Sequence, residues 1–229
     1  MIDWHSHVLP ALDDGSHDVE ESLALLRMLS EQGVKKVVAT PHFYANDESV
    51  ADFIARRQKS FEDLMKVYPE NLPDILLGAE VRYYTGIEKL EDLSKLCIGD
   101  SKLLLLEMPM ERWTEYTVRE LTRIANSKSI KLVLAHIERY LSLQNNDILQ
   151  KLYESGILMQ VNGSFFTGIT TKRKAISFLQ DGMIHFIGSD CHNVKNRPPR
   201  LEKTYEIISK KLGSDNLTRF NEYGKSLLV

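Results

Sequence analysis

The sequence is built from short apolar runs, each followed by an amphipathic segment. Seven such runs can be read: MIDWH, KKVVAT, DILLGAE, KLLLLEM, KLVLAH, ILMQVN and IHFIGSD. Runs that are apolar at nearly every position are typical of strands buried on both faces, as in a parallel sheet. Between them, helical periodicity predicts helices at 19–32, 50–67, 116–127, 148–154, 172–179 and 201–212. This alternation predicts an α/β fold with seven βα units, either a closed barrel or a doubly wound sheet.

The polar side chains at the ends of these runs decide between the two architectures. In chain order they are His5, His7, His42, Glu80, Glu107, His136, Asn162, Asp190 and His192. Catalytic groups of parallel α/β folds collect at the C-terminal ends of the strands. Only a barrel brings seven strand ends around one centre, because an open sheet spreads them along a line. We therefore predict a (β/α)7 barrel with a site at its C-terminal face.

The residue types at this face favour bound metal ions. His5 and His7 point to the same side of their strand, because strand side chains alternate with a period of two. Histidine, aspartate and glutamate without thiolate suit borderline to hard divalent ions such as manganese, iron, zinc or magnesium. We exclude His17, which lies in a charged loop, and His185, which lies inside the seventh run.

The two glutamates leave an alternative open. A buried, unpaired carboxylate at Glu80 or Glu107 would be costly, so each needs either metal ions or a salt bridge to an arginine of the barrel. Metal ions are the better explanation, since they neutralise several carboxylates at once. Asp13 and Asp14 precede Gly15 in a tight turn, and simple turn chemistry is the alternative to a role in the site for both.

The stretch SDCHNVKNR supports two incompatible chemistries. Cys191 and Arg197 have the C-x5-R spacing of phosphatases that use a thiolate nucleophile, whereas Asp190 and His192 resemble metal ligands. A thiol phosphatase loop aims successive backbone N–H groups at one anion, usually with the help of glycine. The loop segment HNVKN contains no glycine. We therefore predict that Cys191 is not a nucleophile.

Length and composition narrow the class of protein. The 229 residues, of which 43% are hydrophobic, suit one large domain or two small ones. A net charge of −3 argues against a nucleic-acid partner. Two cysteines make no disulfide framework, and neither a signal peptide nor a membrane-spanning run is evident. We expect a cytoplasmic protein that is not integral to a membrane.

The ordered motifs resemble the PHP (polymerase and histidinol phosphatase) superfamily. They are DWHSHVLPALDDG, ATPH, GAE, LLLLE, AHIERY and SDCHNVKNRPP, and the match covers residues 1 to about 205. More narrowly, they resemble the bacterial PHP-type protein-tyrosine phosphatases of capsule and exopolysaccharide loci. The resemblance implies a single phosphatase domain over residues 1–229, folded as a distorted (β/α)7 barrel. It also implies hydrolysis of phosphotyrosine by a metal-activated water.

The same resemblance implies a site with three divalent ions, manganese first, with iron, zinc or magnesium as alternatives. The implied ligands are His5, His7, Glu80 and Asp190 for one ion, Glu80, Glu107 and His136 for a second, and Asp14, His42 and His192 for the third. Arg139 and Arg197 match the phosphate-binding arginines, and His42 and His192 are expected to take part in catalysis as well. The implied substrate is the tyrosine-rich tail of a membrane-associated bacterial tyrosine kinase that controls polysaccharide synthesis.

Other functions remain open on sequence grounds. A histidinol-phosphate phosphatase or another PHP phosphoesterase would use the same site with a different pocket. An amidohydrolase also carries His-x-His at a strand end, but such enzymes usually have a lysine ligand on a middle strand, where this chain has Glu107 and His136. A regulatory barrel without activity would have lost several ligands, and a PHP nuclease would carry a basic stripe. The sequence leaves the oligomeric state undecided.

Overall fold

The computed structural model describes residues 1–127 and 129–228. Its strands follow the seven apolar runs. They are β1 (Ile2–Ser6), β2 (Lys36–Ala39), β3 (His42–Phe43), β4 (Asp74–Leu77), β5 (Glu80–Arg82), β6 (Leu103–Glu107), β7 (Lys131–Leu134), β8 (Leu158–Asn162) and β9 (Phe186–Gly188). The second run forms β2 and is followed by the short β3, and the third run is divided into β4 and the start of β5.

All strand pairs are parallel, and they form two ladders that continue into each other. One ladder has the order β1-β2-β4, and the other has the order β3-β5-β6-β7-β8-β9. The N–H of Gly78 donates to Ala39 O at 2.8 Å, and the N–H of Glu80 donates to Pro41 O at 3.0 Å. These two bonds keep the strands paired across the breaks, so the described strands occupy seven positions around the sheet.

The sheet curls until β9 meets β1. Ser6 and Cys191 form a parallel bridge, and the N–H of Asp190 donates to His5 O at 2.8 Å. The N–H of His7 donates to Cys191 O at 2.9 Å. The predicted distorted (β/α)7 barrel is therefore confirmed, with the chain segments that carry His5, His7 and Asp190 at its seam.

The helices lie between the strands, as their amphipathic patterns predict. They are α1 (Val19–Glu31), α2 (Val50–Met65), α3 (Glu115–Ala125), α4 (Asn146–Glu154), α5 (Ser164–Thr167), α6 (Lys172–Gln180), α7 (Leu201–Leu212) and α8 (Ser214–Ser226). Six of them match the predicted ranges to within two residues at each end. The patterns did not predict α5 or α8, nor the short 3-10 helices Ile87–Lys89, Leu93–Leu96 and Ile137–Tyr140.

Asp18 caps the start of α1, with Glu21 at the spacing of a capping box. Asp18 accepts a hydrogen bond from the N–H of Glu21 at 2.8 Å, as an N-cap residue should. The carboxylate of Glu21 accepts a hydrogen bond from the N–H of His17 at 3.1 Å rather than from that of Asp18. The helix ends before Gly33, whose φ of +80° is the left-handed conformation that favours glycine.

Two groups of buried side chains form the core. The larger lies between the helices and the sheet and extends from Val8 to Ile208. The smaller takes residues from β1, β2, β6, β7, β8 and β9, so it fills the inside of the curled sheet. Leu103, Leu105 and Glu107 share one face of β6, because strand side chains alternate. The row that fills the inside of the barrel therefore ends in a carboxylate at the C-terminal face.

None of the helices in the described residues combines the length and the apolar character that a membrane crossing would need.

Gly188 allows the close approach of β9 to β1. A Cβ atom at this position would lie 2.5 Å from the Cβ of His5 and 2.9 Å from its backbone nitrogen. We therefore expect Gly188→Ala to displace His5, to lower the free energy of unfolding by about 1–3 kcal/mol and to reduce bound metal. Denaturant unfolding and metal analysis of the purified protein would measure both effects.

Gly156→Ala is the matched control. Nothing lies within 4 Å of a Cβ at Gly156, and its φ is +80°, so that change costs backbone strain alone, about 1 kcal/mol. Its metal content should equal that of the wild type. Equal metal content in both variants would contradict the role given to Gly188.

Candidate metal centre

The site begins at the end of β1, where two imidazoles face the same carboxylates. The Nε2 atoms of His5 and His7 lie 3.2 Å apart. They lie 3.2 and 3.3 Å from Oε2 of Glu80, and 3.7 and 3.6 Å from Oδ1 of Asp190. All four side chains are buried. The structure thus places the four predicted ligands of one ion together.

Glu80 connects this group to the next strands. Its second oxygen, Oε1, lies 2.9 Å from Nε2 of His136, and the same nitrogen lies 3.6 Å from Oε1 of Glu107. The other oxygen of Glu107 accepts a hydrogen bond from Nη1 of Arg82 at 2.6 Å. The salt bridge that the sequence analysis kept as an alternative is therefore present at Glu107, on one of its two oxygens.

The remaining predicted ligands lie at the mouth of the barrel. Oδ1 of Asp14 lies 3.4 Å from Nε2 of His42 and 3.3 Å from Nε2 of His192. Nδ1 of His42 lies 3.1 Å from Oε2 of Glu80, which joins this group to the buried one. The Asp14 side chain is 65% exposed, whereas that of His192 is 2% exposed. All nine predicted metal-binding residues are thus close to one another.

The donor atoms fit divalent ions. Within the described residues, three sets have one ligand atom from each member within 4.8 Å of the others: His7, Asp14, His42 and His192; His5, His7 and Asp190; and His42, Glu80 and Glu107. Nδ1 of His42 and Nε2 of His192 are buried, and although they lie 3.1 and 3.3 Å from carboxylate oxygens, neither has the geometry of a hydrogen bond with a described residue. Leaving such nitrogens without partners is costly, and a metal ion would satisfy them. In the third set His42 replaces His136, which contacts both glutamates directly.

The buried carboxylates of the site are neutralised by neighbouring histidines, and bound cations could replace the protons of those histidines. Burial opposes ionisation of Glu80, but the charge of His5 and a hydrogen bond with His136 hold the pKa of Glu80 well below its usual value. Burial likewise opposes protonation of His7, but the Asp13 and Glu80 carboxylates raise the pKa of His7 to about 10. A proton on His7 therefore does part of the neutralisation that a divalent ion would do.

Two arginines flank Asp190 on the solvent side. Nη2 of Arg139 donates to Oδ2 of Asp190, and Nη2 of Arg197 lies 2.8 Å from Oδ1. Burial opposes the charge on Asp190, but the neighbouring His5, His7 and Arg139 hold its pKa well below the usual range. Both arginines are more than a third exposed, so they can also reach an anion at the mouth of the barrel.

The backbone is strained at two of the predicted ligands. His136 has φ +32° and Asp190 has φ +52°, in the left-handed region that residues with a Cβ rarely adopt. Such conformations cost about 1–3 kcal/mol each and persist where the surrounding structure imposes them. At both positions the strained residue stands two positions after the end of a strand, β7 or β9, so the chain turns sharply there and directs the side chain into the site.

Several residues that hold the ligands in place were not identified from the sequence. The carboxylate of Asp13 contacts Nδ1 of His7 at 2.7 Å and accepts from the N–H of His42 at 2.9 Å. Oε1 of Gln160 lies 3.2 Å from Nδ1 of His5 and accepts from the N–H of His136 at 2.7 Å. A signal for Gln160 was available, because a glutamine inside the apolar run ILMQVN must find partners when it is buried.

Further buried polar side chains support the same ligands. Asn162 ends β8, and its Nδ2 donates to Oδ2 of Asp190 at 2.8 Å. The hydroxyl of Tyr140 lies 3.3 Å from Nδ1 of His136 and donates to Met108 O at 3.0 Å. These contacts fix the orientation of the ligands from behind, which is the usual task of groups around a metal site.

Cys191 is buried in the hydrophobic core and points away from the cluster. Burial and the nearby Asp3 carboxylate raise the pKa of its thiol far above the usual value, so a thiolate is strongly disfavoured. The loop after it makes no anion cradle, because the N–H groups of Lys195 and Asn196 donate to Oδ1 of Asn193 at 3.2 and 2.7 Å. The prediction that Cys191 is not a nucleophile is supported on both counts.

The two excluded histidines lie outside the site, as predicted. His17 is exposed. His185 precedes β9 rather than lying within it, and its Nδ1 accepts from the N–H of Met159 at 3.0 Å. Of the aromatic residues near the strand ends, Phe43 and Tyr83 are buried in the core. Tyr44 is 39% exposed, and its ring centroid lies 5.5 Å from that of His42.

The chain is similar in sequence and in fold to proteins described under capsular polysaccharide synthesis. Residues 1–225 match the family model described as "Capsular polysaccharide synthesis, CpsB/CapC". Tyrosine-protein phosphatase YwqE of Bacillus subtilis is 32% identical, with 100% of this chain and 91% of the relative covered. Tyrosine-protein phosphatase CpsB of Streptococcus pneumoniae is 34% identical over 93% of this chain and 92% of the relative. The fold matches a crystal structure from work on YwqE and CpsB with a TM-score of 0.84. The two sequences are 28% identical, and the match covers 100% of this chain and 94% of that chain. YwqE and CpsB are described there as unique metal-dependent tyrosine phosphatases.

Asp13 provides a test of the supporting contacts. In Asp13→Asn an amide group replaces one of the two acceptor oxygens, so either the contacts of Oδ2 with His7 and the N–H of His42 or the bond that Oδ1 accepts from Gly15 is lost. The negative charge beside His7 is lost in both cases. We expect metal affinity to fall about 10- to 100-fold, as measured by competition with a chromogenic chelator. The control is Asp18→Asn, which keeps an N-cap residue in the same loop. Unchanged affinity in Asp13→Asn would show that this carboxylate serves only the turn.

Proposed function

This chain belongs to the CpsB/CapC family of capsular polysaccharide synthesis proteins, and from that premise we propose that it is a metal-dependent protein-tyrosine phosphatase. The proposed domain is residues 1–229, a single phosphatase unit of the PHP type. The observation that carries the proposal is a buried cluster of histidines and carboxylates with unsatisfied nitrogens, next to two arginines. The relatives named tyrosine-protein phosphatase favour phosphotyrosine over histidinol phosphate as the substrate.

We assign three divalent ions to the cluster. His5, His7, Glu80 and Asp190 would hold one ion, Glu80, Glu107 and His136 a second, and Asp14, His42 and His192 the third. Manganese is the first candidate, with iron, zinc and magnesium as alternatives. The four carboxylates carry two charges fewer than three divalent ions would, so a phosphate dianion would complete the balance. When bound, the ions supply Lewis acidity at phosphoryl oxygens and lower the pKa of a bound water toward about 7.

The arginines are the proposed phosphate-binding residues. Arg139 and Arg197 reach the same carboxylate, Asp190, from two sides. Each guanidinium has several N–H groups in one plane, so it can keep the contact to Asp190 and still donate to a phosphoryl oxygen. Charge that develops on the equatorial oxygens during hydrolysis would be stabilised by these fixed donors.

The leaving phenolate needs little help, because the pKa of free tyrosine is about 10. His42 and His192 are proposed catalytic residues as well as ligands. They stand at the mouth of the barrel, where either could supply a proton to the departing phenolate. Tyr44 stands beside His42 and is partly exposed, so its ring can contact the ring of the substrate. The proposed products are tyrosine and inorganic phosphate.

The proposed natural substrate is the tyrosine-rich tail of a membrane-associated bacterial tyrosine kinase that controls capsule or exopolysaccharide synthesis. The family description supports the pathway. We place the reaction in the cytoplasm, with no role for nucleic acid. The two cysteines of the described residues are free, which agrees with a reducing compartment.

Metal removal separates the two phosphatase chemistries. We expect a chelator to abolish hydrolysis of a phosphotyrosine peptide, and manganese or a similar ion to restore it. Cys191→Ser should retain most of the activity, because the thiol is buried away from the cluster. Cys97→Ser, at a second buried cysteine, controls for the effect of the substitution on folding. A dead Cys191→Ser variant together with chelator-insensitive wild-type activity would refute the metal-dependent mechanism.

If Arg139 and Arg197 bind phosphate and not metal, removing either should weaken catalysis without releasing metal. Arg139→Ala and Arg197→Ala should each lower kcat/KM by about 100-fold and leave the metal content unchanged, because neither side chain is a ligand. Arg56→Ala removes an exposed arginine paired with Glu48 and should change neither quantity. Loss of metal in Arg139→Ala or Arg197→Ala, with normal folding by circular dichroism, would mean that the arginines hold the site together instead.

A further inference from the structure

An open cavity lies beside the metal cluster on the side of the arginines. Its volume is about 230 Å³, and its lining includes Arg139, Arg197 and Arg200 together with Asn162, Ser164 and Asn196. Of the nine predicted ligands, Asp190 alone lines it in the described structure. The cavity therefore adjoins the proposed phosphoryl site and shares Arg139 and Arg197 with it, whereas Arg200 lies outside the residues proposed to bind phosphate.

The three arginines of this cavity differ in their partners. Arg139 and Arg197 are both paired with Asp190. Arg200 is exposed and forms no ion pair with any carboxylate in the part of the chain that the structure describes. Its position at the start of α7 is set by backbone contacts, since Arg200 O accepts from Oγ1 of Thr204 at 3.2 Å. The cavity thus has one cation with no anion assigned to it.

The chain segment that carries most of the cavity lining is basic, although the whole chain is acidic. Residues 164–203 contain seven Lys and Arg against three Asp and Glu, whereas the complete chain has 29 against 32. Lys172, Arg173 and Lys174 begin α6, and that helix has no acidic residue in its first turn. A concentration of one charge sign on an otherwise oppositely charged protein attracts complementary ligands and orients them.

The size and chemistry of the cavity select the kind of ligand. Each water molecule takes about 30 Å³, so the cavity has room for an aspartate or glutamate side chain with a few waters. Its neutral lining residues, Ser164 and Asn196, can donate hydrogen bonds to a carboxylate. An apolar side chain would leave Arg200 and these groups without partners.

We propose that this cavity is a subsite for an acidic residue that flanks the phosphotyrosine, and that Arg200 is the specificity-determining residue that binds its carboxylate. The inference rests on the proposed phosphatase function and adds a sequence preference to it. A phosphotyrosine bound at Arg139 and Arg197 would bring the flanking residues of its peptide close to the cavity, because both arginines line it. Each residue of an extended peptide spans about 3.3–3.6 Å, so one of the two nearest positions on either side is within reach.

The test uses the metal-loaded full-length protein and matched peptides. Each peptide carries one Glu at one of the two positions before or after the phosphotyrosine, and its partner carries Gln there. We expect wild-type kcat/KM to favour Glu over Gln about fivefold at one or two of these positions. The preference should fall with added salt, because an exposed ion pair is screened. In Arg200→Gln the ratio should fall to about one.

The control is Lys203→Gln, a neighbouring cation that does not line the cavity, and it should keep the wild-type ratio. Absence of a Glu preference in the wild type, or an unchanged ratio in Arg200→Gln, would overturn the subsite. An equal loss of activity in Arg200→Gln on both peptides and on p-nitrophenyl phosphate would place Arg200 on the phosphoryl group and also overturn it. If metal-loaded wild type hydrolyses none of these compounds, the proposed function itself fails, which is a different result from a lost preference.

Discussion

The structure depends on the burial of Glu80 among four histidines. Its two oxygens face His5, His7 and His42 on one side and His136 on the other. A carboxylate this deep in the protein would be costly without compensating charge. The fold supplies it from strands β1, β3 and β7, so the electrostatic requirement and the closure of the sheet are satisfied by the same contacts. Divalent ions would satisfy that requirement better than protons, because they are also bound by the nitrogens that have no hydrogen-bond partner.

The barrel is irregular where the site demands it. The chain breaks between β2 and β3, just before His42, and between β4 and β5, just before Glu80. Left-handed backbone occurs at His136 and Asp190. A regular strand directs its side chains alternately inward and outward, so consecutive residues of one strand cannot all point toward the centre of the site. The breaks and the strained residues turn the chain toward the centre. Burial of the smaller core inside the curled sheet offsets the conformational free energy that these breaks and strained residues cost.

Asp190 connects the metal-binding and phosphate-binding parts of the site. One carboxylate faces two histidines within the barrel and two arginines at its mouth. Its neighbour Cys191 lies on the opposite side of the chain, in the core, because the chain alternates there as a strand does. The resemblance of SDCHNVKNR to a thiol phosphatase loop is thus a coincidence of spacing. Beyond Asp190, the cavity at Arg200 extends the positive surface away from the cluster, which is where a peptide substrate would continue.

The amino-acid sequence by itself determined the class of fold and most of the candidate site. Apolar runs of strand length followed by helical patterns predicted a parallel barrel, and polar residues at equivalent run ends predicted that they would meet. Those inferences succeed because periodicity and strand ends are local properties. The supporting contacts of Asp13, the salt bridge between Arg82 and Glu107 and the cavity at Arg200 were decided by the tertiary structure alone. The bond that Asp13 accepts from the N–H of His42 and the pair of Arg82 with Glu107 join residues 29 and 25 positions apart, and the cavity is lined by residues from Arg139 to Arg200. Helix α8, whose pattern is weakly apolar, packs against Trp4 through Gly224. Local patterns carry no information about which distant partner a polar group will find, because that is set by how the sheet curls and closes.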